Sequence, residues 1–142
     1  MAADRISSPT VNIVLISLDR QLEAATAKAR LRLKKAIPGL NLTFHAAVDW
    51  DRDPAALSAC KEAIGEADFV VASMLFMANL IDAVLPDLEA RREQCDEMLG
   101  CLSAAEIVKL TRLARFRMDR PQSGPIALLK RLRGSSDKAK AG

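Results

Sequence analysis

The feature that most constrains this chain is the way short apolar runs alternate with stretches of helical periodicity. Residues 11–16, Val-Asn-Ile-Val-Leu-Ile, are almost continuously apolar, as in a strand covered on both faces of a parallel sheet. Leu22, Ala25, Ala29, Leu33 and Ile37 then recur at three- and four-residue steps, and Pro38-Gly39 stops them. This predicts a long amphipathic helix, with Asp19 as its cap. Leu40, Leu42, Phe44 and Ala46 alternate with Asn41, Thr43 and His45, the two-residue period of a strand with one polar face, expected at or near an edge.

The alternation continues. Asp53-Pro54 opens a helix well, because the carboxylate can cap it and proline costs nothing at the first helical position; Leu57, Cys60 and Ile64 supply its inward stripe. Residues 69–73 read as a third buried strand, and residues 79–92 as a helix with Leu80, Val84 and Leu88 on one side. Residues 98–102 suggest a fourth strand. Ser103-Ala104-Ala105-Glu106 has the form of a capping box, which predicts a fourth helix with Ile107, Leu110 and Ala114 inward. Such a chain is expected to be α/β, with a doubly wound, mostly parallel four-stranded sheet of order 2-1-3-4, flavodoxin- or Rossmann-like, and helices on both faces. Residues 1–10 read as a disordered start and 11–116 as the α/β domain. Residues 117–142 read as a basic linker with a short amphipathic helix at 126–133, leading to a missing remainder.

Charge and composition narrow the function. The net charge is +3, yet residues 117–142 hold seven Lys or Arg against two Asp, so the body before them is slightly acidic. That argues against a nucleic-acid-binding domain. No apolar stretch approaches the ~20 residues that cross a bilayer, so no transmembrane segment is expected. Three cysteines with no C-x-x-C pair fit a reducing, cytoplasmic setting. Neither a dinucleotide fingerprint nor a P-loop occurs.

In the expected strand order a crevice opens at the carboxyl ends of the first and third strands, between residues 17–19 and 73–77. Met74, Leu75, Phe76 and Met77 stay apolar past the end of their strand. They are candidate contacts for a flat apolar ligand or a partner, although packing under the next helix would explain them too. Trp50 is a further candidate for stacking on a ring, with hinge-side packing as the alternative. His45 is the sole histidine and sits on the polar face of its strand, away from the crevice. Asp19, Asp49, Asp51 and Asp53 match no calcium loop, and capping accounts for two of them. Cys60 and Cys101 read as buried hydrophobes and Cys95 as the most exposed of the three. No catalytic residue and no metal site is expected.

Three blocks carry a family resemblance: residues 11–19, VNIVLISLD; residues 67–77, ADFVVASMLFM; and residues 90–118, ARREQCDEMLGCLSAAEIVKLTRLARFRM. The first is generic to buried strands, whereas the other two are specific in content and spacing. Together they resemble the amino-terminal region of the magnesium chelatase H subunit, over residues 11–133; the cobalt chelatase large subunit is the related alternative. The resemblance implies a protein that binds protoporphyrin IX. With two partner subunits that hydrolyse ATP, it inserts Mg2+ on the way to chlorophyll or bacteriochlorophyll. It also implies that the remainder of the H subunit is a partner of this domain and holds the groups that insert the metal. This stretch would then carry no cofactor of its own. A stand-alone flavodoxin-like interaction or ligand-sensing module is the reading from another class, since such scaffolds host many functions.

Overall fold

A computed structural model describes residues 9–119. The first apolar run forms β1 (Val11–Ser17), which lies between β2 (Leu40–Ala46) and β3 (Phe69–Ser73) and is parallel to both. Strand β4 (Glu97–Cys101) continues the parallel sheet beside β3. The order β2-β1-β3-β4 is the one the sequence predicts, and β2 is the edge strand. Helices α1 (Glu23–Ala36), α2 (Pro54–Glu66) and α3 (Ala78–Arg92) make the crossovers. Among the described residues no helix is long and apolar enough to cross a membrane.

The strand register separates two faces. Val14, Ile16, Val70, Ala72 and Met98 line the first and pack with Cys60, Ile64, Val84 and Leu88 from α2 and α3. Asp53 caps α2 as expected, its Oδ1 accepting the Ala55 N–H at 3.0 Å. The second face carries Ile13 and Leu15, level with Leu42 and Phe44 on one side and with Phe69 and Val71 on the other; Val71 is in turn level with Leu99. Right-handed crossovers put α1 on this second face, because the step from β1 to β2 runs opposite to the next two.

Helix α1 differs from its predicted form. It starts at Glu23, and Asp19 instead accepts the N–H of Gln21 at 3.0 Å. Leu22, Leu33 and Ile37 are exposed, and Thr26 is the one buried residue of the helix. The reason is placement. The helix rests on the edge strand, over Leu40 and Leu42, and Arg30 Nε donates to the Leu42 carbonyl at 2.8 Å.

The predicted fourth helix is corrected more strongly. Helix α4 is a single turn, Ala105–Val108, and the chain then forms β5 (Arg112–Leu113) and β6 (Phe116–Arg117), an antiparallel hairpin that extends the sheet to six strands. Ile107 and Leu110 are buried as expected, but Ala114 is exposed in the hairpin turn at φ 51°. Ser103 caps nothing; its Oγ accepts the Leu75 N–H and donates to the Cys101 carbonyl. Thr111 ends the helix by tying its Oγ to both the N–H and the carbonyl of Gly100, at 3.0 and 3.1 Å.

Charged groups fasten the hairpin to α3. Arg92 is buried; its Nε donates to the Leu110 carbonyl at 2.8 Å and its Nη1 to Asp119 at 2.8 Å. Arg117 pairs with Glu93 and Asp119, and Arg112 donates to the Arg92 and Cys95 carbonyls. Hydrogen bonds from Arg92 and then Arg117 hold the Asp119 carboxyl well below the usual carboxylate range, and Arg117 lowers Glu93 in the same way. Folded-state values below the unfolded ones stabilise fully above the unfolded pKa, about 4, and that stability is lost as pH falls through the lowered folded values. Acidification from pH 6 to pH 2 should therefore release the hairpin ahead of the parallel sheet. Amide exchange of Met118, whose N–H donates to Thr111, reads this against the amides of β1. Equal loss of protection at both places would refute it.

Candidate functional site at the carboxyl end of the sheet

Strands β1 and β3 are neighbours whose following segments leave in opposite directions, so the carboxyl end of the sheet divides between them. On the β1 side the Val48 N–H donates to the Leu18 carbonyl at 2.9 Å, and Arg20 bridges Asp49 at 2.6 Å and Glu23 at 3.3 Å. Asp49 is thus committed to an ion pair. Among the described residues no group of three or more His, Cys, Asp or Glu is placed to hold a metal ion.

On the β3 side the chain makes an apolar projection. Met74, Phe76 and Met77 are 39%, 55% and 53% exposed, whereas Leu75 between them is fully buried. Leu102, which follows β4, joins them at 71%. Met74 and Leu102 both take left-handed backbone conformations, at φ 62° and 46°. Bulky side chains rarely do so, at a cost of about 1 kcal/mol or more each. Four hydrogen bonds sustain the strain. The Met74 N–H donates to Leu102 O at 3.0 Å, the Leu75 N–H to Ser103 Oγ at 3.0 Å, the Ala104 N–H to Leu75 O at 2.9 Å, and Ser103 Oγ to Cys101 O at 2.9 Å. The two loops are therefore laced into one unit with Leu75 as its anchor.

Of the five contact residues expected from the sequence, Met74, Phe76 and Met77 come together at the surface. Leu75 and Trp50 do not; both belong to the core, Trp50 being only 5% exposed at the end of the turn Ala47–Asp49. Leu102 and Ser103 escape a reading of the sequence, because Ser103 has the pattern of a helix cap and nothing in the composition announces a left-handed leucine. His45 lies on the edge strand with its Nε2 3.0 Å from Thr43 Oγ1, and burial lowers its pKa, which favours the neutral ring. Cys60 is buried and pushed up to about 12 by burial and then by Asp87. Cys95, expected to be the exposed cysteine, is buried beside the Arg112 contact, whereas Cys101 is half-buried.

Residues 12–142 match a family described as a domain of unknown function, DUF3479. The chain is 45% identical over 129 residues to the magnesium-chelatase H subunit of Cereibacter sphaeroides, and 40% identical over 126 residues to that of Rhodobacter capsulatus. These alignments take in 91% and 89% of the chain but only 11% of each relative, so it spans about a ninth of their length. The chain belongs to the DUF3479 family and corresponds to the amino-terminal region of magnesium-chelatase H subunits.

Proposed function

We propose that this chain is the amino-terminal domain of the porphyrin-binding subunit of a cytoplasmic magnesium chelatase. In that role it offers apolar contacts and does no bond chemistry. The reaction it serves is insertion of Mg2+ into protoporphyrin IX, driven by ATP hydrolysis at two partner subunits, on the route to chlorophyll or bacteriochlorophyll. The similarity to two H subunits over about nine-tenths of the chain supports the assignment.

The observation that carries the local role is the projection of Met74, Phe76, Met77 and Leu102, held out by two strained residues at the end of the sheet where α/β domains bind ligands. Thioether and aromatic side chains suit a flat, polarizable ring or an apolar partner surface. Metal insertion itself needs a base for the pyrrole protons and oxygen or nitrogen ligands that deliver hydrated Mg2+. Here His45 is paired with Thr43 and Asp49 with Arg20, so that work belongs to the remainder of the protein.

Titration of the chain with deuteroporphyrin, followed by porphyrin absorbance, tests the contact. Saturable binding at micromolar porphyrin is expected, weakened at least about fivefold by Phe76→Ala with Met77→Ala, the loss of roughly 1 kcal/mol of apolar contact. If the paired substitution changes neither this binding nor chelation by the intact subunit, the projection has no porphyrin role.

A further inference from the structure

The thioethers of the described residues fall into two environments. Met98 lies in the core at 1% exposure, level with Val70 on the neighbouring strand. Met74 and Met77 flank Leu75 and Phe76 on the apolar projection and are 39% and 53% exposed. Met118, beyond β6, is exposed on the hairpin. What holds the projection together does not involve the sulfur atoms. Its loops are joined by backbone groups of Met74, Leu75, Leu102 and Ala104 and by Ser103 Oγ, and Leu75 anchors it in the core. The apolar character of the projection can therefore change without loss of the scaffold that presents it.

We propose that Met74 and Met77 form a reversible oxidation site, at which a hydroperoxide converts the apolar contact surface into a polar one. This rests on the reading of the projection as an apolar contact and adds its regulation. At each residue the sulfur lone pair attacks one peroxide oxygen. An S–O bond forms as the O–O bond breaks, sulfur loses two electrons, and the departing hydroxide takes the proton of the transferred oxygen and leaves as water. Burial decides where this happens, since a thioether in a packed core meets no peroxide. The sulfoxide carries a strong dipole that needs water or a hydrogen-bond donor. A flat apolar ligand or surface supplies neither, so the oxidised projection holds it less well. Methionine sulfoxide reductases return both thioethers, and the hydrogen-bonded scaffold keeps them in place meanwhile.

The test treats the intact chain with hydrogen peroxide at neutral pH and maps the products by peptide mass spectrometry. Met74 and Met77 are expected to oxidise at least about tenfold faster than Met98, with the urea midpoint unchanged. Deuteroporphyrin affinity should then fall about fivefold or more, retention on a phenyl column should shorten, and methionine sulfoxide reductases should restore both. In Met74→Leu with Met77→Leu, peroxide should leave retention nearly unchanged, although Met118 and the half-buried Cys101 are still present. Retention reads the apolar surface independently of porphyrin. An untreated chain that binds no porphyrin would thus refute the porphyrin reading, while shortened, reductase-reversible retention would still support the oxidation site. Oxidation of Met98 at the same rate, a lowered urea midpoint, or unchanged retention with both sulfoxides formed would overturn the proposal.

Discussion

Replacing Gly100 by alanine should destabilise the domain by about 3 kcal/mol, the range of a forced overpacking. A Cβ built on Gly100 would stand 2.2 Å from the carbonyl oxygen of Ile107 and 2.7 Å from its carbonyl carbon. These are backbone atoms of α4, so no rotamer change relieves the contact. The turn must move off the strand, and Thr111 then loses its two hydrogen bonds to Gly100. Displacement of α4 also pulls on Ala104, whose N–H holds the Leu75 carbonyl, so the apolar projection should loosen with it. Gly65 is the internal control. It lies in α2, where an added Cβ meets nothing within 4 Å, and Gly65→Ala should stabilise by up to about 1 kcal/mol. Urea unfolding of both variants decides the matter. A Gly100→Ala protein within about 1 kcal/mol of the parent would show that the strand and the turn do not approach so closely.

Leu75→Ala should cost about 2–5 kcal/mol, whereas Phe76→Ala and Met77→Ala should each stay within about 0.5 kcal/mol. Leu75 is fully buried in the main core cluster, so its truncation leaves a cavity there, while Phe76 and Met77 are more than half exposed. The contrast separates anchoring from presentation. Loss of porphyrin binding in Phe76→Ala at unchanged stability would be a contact effect, while loss in Leu75→Ala would follow from unfolding of the projection. Comparable destabilisation by all three substitutions would mean that the whole run is core.

The parallel part of the fold was legible in the sequence because its signals are local. Asp53-Pro54 starts α2 by capping, and Leu80, Val84 and Leu88 bury one side of α3 by spacing alone. The continuous apolar character of β1 and β3 reflects coverage that any strand between two neighbours needs, and this also placed β2 at the edge. The carboxyl-terminal part was not legible. Residues 103–106 satisfy the pattern of a capping box, but Ser103 gains more by joining two loops than by capping one turn. The hairpin depends on Arg92, Arg112 and Arg117 finding carbonyls and carboxylates from 17 to 27 residues away in sequence.

The sequence by itself thus determined the alternation and order of the four parallel strands and the family, since each rests on periodicity or on motif content. It also located the apolar run at residues 74–77, but not which of its side chains face outward. Only the tertiary structure decided that, because the direction of each side chain depends on left-handed turns at Met74 and Leu102 that are stable only when their loops are hydrogen-bonded together. It likewise buried Trp50 and Cys95, whose exposure depends on what packs over them from elsewhere in the chain.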